Sequence, residues 1–271
     1  MVIGKRADGY HDVRTVLQTV DLSDDVEIEP ASELTLTVEP ASAVPVDGNL
    51  VLRAAHMLRQ AVGEARGAAI TLRKRIPVAA GLGGGSSDAA ATLLGLRDLW
   101  SLHISDAALS VMAAMLGADV PFFLRGGTAL GTGRGDDLRP LPMPVESLAV
   151  IVTPQEPDEA TKTARLYGML GPEHFSDGGK TDEVVRRIEA GEPLGDAPYS
   201  TFAQVAFSAY ASYELACTIL GTTRAEHTLL CGAGPSLITL VDDVAVAESI
   251  RDRMLGEGHV VHVAKLTPAR S

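Results

Sequence analysis

Apolar and polar residues alternate along the chain at two periods, and the switches between them outline its elements. Period-two alternation runs through 13–21 and 25–29, and strictly through 34–38 (Leu-Thr-Leu-Thr-Val), which predicts antiparallel strands. Helical spacing takes over after Asn49, with Leu50, Ala54, Met57, Leu58 and Ala61 on one face and Gly63 as the terminator. Residues 68–74 return as a strand. A second helix carries Ala89, Leu93, Leu96 and Trp100, and a third, capped by Ser105 and closed by Gly117, carries Leu109, Met112 and Leu116. Residues 148–153 predict a buried strand, and 154–158 a boundary between domains. Beyond it the pattern predicts a helix over 159–170, an irregular polar stretch over 171–198 and a helix over 202–220. Strands over 227–231 and 236–241, a helix over 244–255 and a strand over 260–265 complete the chain. That ending suits a small α+β sandwich.

One stretch breaks the periodicity. Between the strand at 68–74 and the next helix stand four glycines in five positions, Gly81, Gly83, Gly84 and Gly85. Glycine allows positive φ and close approach of backbone to a ligand. Ser86, Ser87 and Asp88 follow as N-cap candidates. A glycine loop running into a helix start offers free N–H groups and the positive end of the helix dipole, which together accept an anion. The loop has no Walker A lysine, and Ser86 stands where a dinucleotide fingerprint needs glycine. It reads as a phosphate cradle of another kind, with a flexible surface loop as the alternative.

Asp119 lies between a helix end and an apolar segment, as a turn residue or as a carboxylate serving as base or metal ligand. Tyr10 and His11 close a polar loop over 4–12, where packing is the alternative to a binding role. Thr163 and Tyr167, four apart, share a helix face. The glycine-rich 131–137 predicts a hairpin connection.

Composition narrows the partners. A net charge of −12 argues against a nucleic-acid surface, so a phosphate ligand has to be held by local donors. Aromatic residues make up 4% of the chain while alanine and glycine are plentiful, which predicts a core of small aliphatic side chains. Cys217 and Cys231 form neither a disulfide framework nor a metal site, and read as small buried hydrophobes. Lys5, Arg6 and Asp8 interrupt any signal-peptide pattern, and no apolar run approaches a membrane span. The expected location is the cytoplasm, with no membrane or nucleic-acid partner.

Taken in order across nearly the whole chain, the motifs resemble a family. Pro77-x-x-x-Gly81-Leu82-Gly83-Gly84-Gly85-Ser86-Ser87 is similar to the phosphate loop of the GHMP small-molecule kinases, and Gly232-Ala233-Gly234-Pro235-Ser236 to their third motif. Within that superfamily, Gly-Lys-Arg-Ala-Asp-Gly-Tyr-His (4–11), Asn-Leu-Val-x-Arg-Ala-Ala (49–55) and Gly-Ala-Asp-Val-Pro-Phe (117–122) resemble the kinases of 4-diphosphocytidyl-2-C-methyl-D-erythritol. The resemblance implies an α+β fold of two domains. A ribosomal protein S5 domain 2-like, ATP-binding domain would span 1–153, and a ferredoxin-like, substrate-side domain 154–271. It also implies ATP and Mg2+, and phosphorylation of the CDP-methylerythritol 2-hydroxyl on the non-mevalonate isoprenoid route.

Position by position, the resemblance makes Asp119 the catalytic aspartate that takes the acceptor proton. It makes Ala79, Ala80, Gly81, Leu82, Gly83, Gly84, Gly85, Ser86 and Ser87 the triphosphate loop, and sets Asn49 and Lys74 beside adenine. Tyr10, His11, Thr163 and Tyr167 match the cytidine and substrate side, with Tyr10 and Tyr167 sandwiching the base. Gly232, Ala233 and Gly234 are implied there too, and Ser86 and Ser87 are implied to bring hydroxyls near phosphate or magnesium, with no side chain assigned as a metal ligand. There are two departures. The family's opening Pro-Ala-Lys-x-Asn-Leu strand has no counterpart before Met1-Val2-Ile3-Gly4, and Ser200-Thr201-Phe202 replaces the usual Asn-Asp. The first implies a kinase whose natural start lies upstream of Met1, with weak or absent turnover of the 271-residue form, or a nucleotide-binding relative without activity. Another GHMP kinase is the remaining alternative, which the Tyr-His pair opposes.

Overall fold

The computed structural model describes residues 1–156, 162–225 and 228–270. The chain opens with β1 (Val2–Lys5), β2 (His11–Val13) and β3 (Thr15–Gln18), so the segment expected as one strand is broken at Arg14. β4 (Asp25–Ala31) and β5 (Leu34–Glu39) lead through α1 (Leu50–Val62) to β6 (Gly67–Arg73). Next come α2 (Gly84–Leu99), α3 (Asp106–Leu116) and α4 (Val120–Arg125). The hairpin strands β7 (Thr128–Thr132) and β8 (Asp137–Leu141) and the strand β9 (Leu148–Thr153) follow. The remainder comprises α5 (Lys162–Met169), α6 (Gly179–Ala190), α7 (Ala203–Ala209), α8 (Tyr213–Leu220), β10 (Thr228–Leu230), β11 (Leu237–Val241), α9 (Val244–Gly256) and β12 (Val260–Lys265). Contacts divide the chain into two compact units, one of Met1–Leu22, Ala79–Leu82 and Gly126–Arg270, the other of Ser23–Val78 and Gly83–Arg125.

In the second unit the sheet order is β4-β6-β5, with β6 antiparallel to β4 and parallel to β5. The expectation of neighbouring antiparallel strands over 25–38 is corrected here. β5 reaches β6 through a crossover helix, the connection that parallel pairing requires. Close contact at Gly67 supports that register, because a Cβ there would stand 2.4 Å from the Glu33 backbone. Asn49 caps α1, its side chain accepting from the Val51 N–H at 3.0 Å, and Gly63 ends the helix at φ 66°. Ser105 caps α3 in the same way. Ala54, Ala55 and Leu58 of α1 meet Ala89, Ala90, Leu93 and Leu96 of α2 over Ala68, Ile70 and Leu72 of β6, all buried. Small side chains let the two helices approach closely over the sheet.

In the first unit the sheet β10-β11-β9-β12 is antiparallel throughout. Its central strand β9 is buried from Leu148 to Val152, as its unbroken apolar run predicts. Val150 and Val152 join Leu220, Ile250 and Met254 in the main core of this unit. Two expectations fail here. The stretch 171–198 contains α6, which buries Val184, Val185 and Ile188 and ends at Gly191 with φ 67°. The helix expected over 202–220 is two helices. Tyr210 takes an extended conformation (φ −126°, ψ 123°) and its hydroxyl donates to the Ala233 carbonyl, while the Ser212 N–H donates to Glu156 at 2.7 Å. Tyr210 keeps its N–H bond to the Ala206 carbonyl, but the Ser212 N–H, spent on Glu156, no longer continues the helix. Residues 159–161 and His227, expected at the starts of a helix and a strand, lie outside the described residues.

Candidate active site

The glycine loop delivers its last glycines into α2. Gly83 (φ 72°) is the N-cap and Gly84 and Gly85 open the helix, so Ser86, Ser87 and Asp88 lie inside α2, Asp88 just past its first turn, instead of capping it. Glycine wins the cap because the chain needs the left-handed conformation there. A glycine cap has no side chain to satisfy the turn, and the first returning bond is from the Ser87 N–H to the Gly83 carbonyl at 2.9 Å. The N–H groups of Gly84, Gly85 and Ser86 therefore have no side-chain cap among the described residues, the condition for anion binding at a helix start. The Ser87 hydroxyl donates to the Gly84 carbonyl at 2.8 Å.

Asp119 stands at the lead-in to α4, an element that the sequence pattern does not reveal and that packs against this turn. It directly precedes the helix, whose Phe123 ring stands where a Gly83 Cβ would lie only 2.8 Å away. Asp119 is exposed as a residue, yet its carboxyl loses solvation to surrounding protein, and that desolvation raises its pKa from the usual 3.8. The other two residues matched to the nucleotide are already engaged. The Asn49 amide donates to the Pro45 carbonyl at 3.2 Å while its oxygen caps α1. Lys74 is buried between Asp24 and Asp88, with its Nζ 2.9 Å from Asp88 Oδ2.

In the other unit, residues 79–82 of the loop rest on the turn at 231–236. A Cβ on Gly81 (φ 79°) would lie 2.2 Å from the Cys231 carbonyl and 2.8 Å from the Gly234 N. The Ser236 N–H donates to the Ala80 carbonyl at 3.2 Å, and Gly234 closes the turn through its N–H to the Cys231 carbonyl at 2.7 Å. Only glycine permits this approach at position 81, so residues 79–82 and the turn that contains Gly232, Ala233 and Gly234 form one backbone surface. Cys231 and Cys217 are unpaired thiols, half-buried instead of fully buried.

His11 stacks on Tyr167 with centroids 4.9 Å apart and planes 30° from parallel, and meets the edge of Phe175 at 6.0 Å. Burial and the Lys5 charge lower the His11 pKa, which keeps its imidazole neutral near pH 7. Tyr10, 56% exposed, lies under the Arg134 guanidinium at 5.2 Å from ring centroid to Cζ. Thr163 is exposed one turn before Tyr167 on α5. Phe175 and Arg134 belong to this cluster although no local pattern marks them. The first sits in the stretch that reads as irregular, the second in a turn that reads as a plain hairpin. Among the described residues no group of three or more His, Cys, Asp or Glu is placed to hold a metal, and no helix is long and apolar enough to cross a membrane.

An uncapped glycine turn packed on a helix that a carboxylate precedes, in one mixed α/β unit, fits a GHMP-type small-molecule kinase, and the sequence profile of the GHMP kinases N terminal domain matches residues 49–127. A 4-diphosphocytidyl-2-C-methyl-D-erythritol kinase of Dehalococcoides mccartyi is 36% identical over 268 residues, covering 97% of this chain and 92% of that protein. The kinase of that name from Pelotomaculum thermopropionicum is 39% identical over 256 residues, covering 93% and 88%. The chain belongs to the family of 4-diphosphocytidyl-2-C-methyl-D-erythritol kinases. A crystal structure of 4-(cytidine 5'-diphospho)-2C-methyl-D-erythritol kinase matches with a TM-score of 0.81 at 29% identity, covering 98% of this chain and 94% of the other. Homoserine kinase from Cytophaga hutchinsonii shares the fold, with a TM-score of 0.75 at 17% identity and coverage of 94% and 89%.

Proposed function

We propose that this chain transfers the γ-phosphoryl group of ATP to the 2-hydroxyl of 4-diphosphocytidyl-2-C-methyl-D-erythritol, a step of the non-mevalonate route to isoprenoid precursors. The observation that carries this reading is the uncapped turn of Gly84, Gly85 and Ser86 packed in one unit with the helix that Asp119 precedes. Phosphoryl transfer asks the protein mainly for positioning and charge stabilisation. The turn supplies N–H donors and the helix dipole for the triphosphate. Asp119 takes the proton of the acceptor hydroxyl, and its raised pKa makes it a stronger base than an ordinary carboxylate.

Ser86 and Ser87 bring hydroxyl oxygens to the phosphate turn, a donor set that fits Mg2+, which keeps several waters and binds phosphate oxygens more than protein cages. When bound, the ion neutralises charge on the transferred phosphoryl group. Asn49 and Lys74 flank adenine in this reading. His11 presents a neutral imidazole to the cytosine edge, Tyr10 and Tyr167 stack on the base, and Thr163 with Gly232, Ala233 and Gly234 completes the substrate side. We assign the ATP-binding domain to 1–153 and the substrate-side domain to 154–271, in the cytoplasm where ATP is supplied.

Release of ADP by the purified chain with ATP and Mg2+ tests the reading. Turnover is expected with the cytidylyl substrate and not with homoserine or mevalonate, and is lost in Asp119→Asn. Equal ADP release with the other acceptors, or release that Asp119→Asn leaves unchanged, overturns it.

A further inference from the structure

We propose that Asp24, Lys74 and Asp88 form a clasp that sets the shape of the phosphate loop, with the two aspartates acting as positioning residues for ATP. The proposal rests on the assignment of the glycine turn to the triphosphate. The three side chains come from three places: the residue before β4, the residue after β6 and the fifth residue of α2. All are buried, with side-chain exposures of 1% for Asp24, 6% for Lys74 and 5% for Asp88.

The bonds tie the two ends of the loop together. Asp24 Oδ1 accepts from the N–H groups of Arg75 and of Ile76 (2.9 Å), fixing the backbone where it leaves β6. Asp24 Oδ2 accepts from Lys74 Nζ, which also donates to Asp88 Oδ2 at 2.9 Å inside the helix turn that follows the loop. The clasp lies directly against the anion-binding turn. A Cβ on Gly84 would stand 3.1 Å from Ile76 Cγ2 and 3.4 Å from Lys74 Nζ.

Stability does not explain such a group. Removing charges from water costs several kcal/mol per ion, which can exceed the attraction gained, so a buried pair is weak evidence of stabilisation, and registry is its best-attested use. The charge balance also suits an anionic neighbour. Burial pushes the Asp88 carboxyl up to about 7, Lys74 opposing and Asp24 adding to the shift, so near neutrality the clasp carries less than its full negative charge. Asp24 is held below the usual carboxylate range. Burial alone would raise it, but Lys74 and the two N–H donors outweigh that.

The test compares Asp88→Ala with Asp88→Asn, whose amide oxygen still accepts from Lys74, by calorimetric titration with ATP and by the KM for each substrate. Asp88→Ala is expected to weaken ATP about 10- to 100-fold while the KM for the cytidylyl substrate holds, and Asp88→Asn to restore ATP binding to within about threefold. ATP binding by Asp88→Ala equal to that of the unaltered chain overturns the proposal. So does a loss that strikes both substrates alike and tracks the Tm. If Asp88→Ala does not fold, Asp24→Asn decides. It keeps an acceptor for Arg75 and Ile76 but breaks the ion pair, and unchanged ATP affinity in it overturns the proposal. Failure of the unaltered chain to bind ATP refutes the phosphate-loop assignment instead.

Discussion

Replacing Gly81 by alanine tests the contact between the two glycine motifs most directly. Gly81 has φ 79°, a conformation that costs an L-residue about 1–2 kcal/mol. Its new Cβ would also lie 2.2 Å from the Cys231 carbonyl oxygen and 2.8 Å from the Gly234 N. Both neighbours are backbone, so the loop or the turn has to move by roughly 1 Å to reach ordinary contact, and overpacking of this kind costs about 1–3 kcal/mol. Together the two effects remove about 2–5 kcal/mol, a large share of the roughly 5–15 kcal/mol that holds a domain. Gly63→Ala is the control. It has φ 66° at the end of α1 with nothing within 4 Å of its Cβ, so it carries the conformational cost alone. Urea unfolding reads the difference between the variants, and the KM for ATP reads any relaxation of the loop away from the turn. A Gly81→Ala variant that unfolds like Gly63→Ala and keeps its ATP KM would refute the close packing.

Three further outcomes follow from the site. Asp119→Asn should lower kcat about 10²- to 10⁴-fold with little change in the KM for ATP. Because Asp119 acts as a base only when ionised and its pKa is raised, kcat in the unaltered chain should fall as pH drops through a midpoint above 3.8, and a limb at or below 3.8 would contradict this. Asn49→Ala should lose about 0.5–2 kcal/mol in thermal unfolding from its broken cap, while Asn49→Ser keeps the cap. A raised ATP KM in both separates nucleotide contact from capping, and an unchanged KM in the serine variant would leave capping as the whole role. Tyr167→Ala should raise the KM for the cytidylyl substrate about 5- to 100-fold, the value of one base stack, and steady-state kinetics showing ATP weakened instead would count against the assignment.

Local rules account for what could be read without the fold. Asn49, Ser105, Gly63 and Gly117 mark helix ends because capping is settled within one turn of chain, and the structure has helix boundaries at each. The strand β9 follows from an unbroken apolar run, and the hairpin β7-β8 from its glycine turn. Misreadings arise where a distant partner decides. Tyr210 breaks a helix to reach Ala233, β6 enters between β4 and β5 to receive a crossover, and Gly83 takes the cap position that Ser86, Ser87 and Asp88 suggest for themselves. The stretch over 171–198 hides α6 because its apolar residues, Val184, Val185 and Ile188, are few among charges, and Val184 and Ile188 are buried by distant partners, Val16, Leu141 and Leu240 among them.

By itself the sequence determined the chemistry available to this protein: a glycine turn for an anion, a carboxylate at 119, an aromatic and imidazole pair at 10–11, and the family that joins them. These are matters of residue type and short spacing, which act over one or two turns of chain. The tertiary structure alone decided that Gly81 lies against Cys231 and Gly234, that His11 meets Tyr167 and Phe175, and that Asp24, Lys74 and Asp88 close beneath the loop. Each of those contacts joins residues far apart in sequence. Only the packing of sheets and helices brings them within reach, and burial then gives their charges and hydrogen bonds a strength that water would deny them.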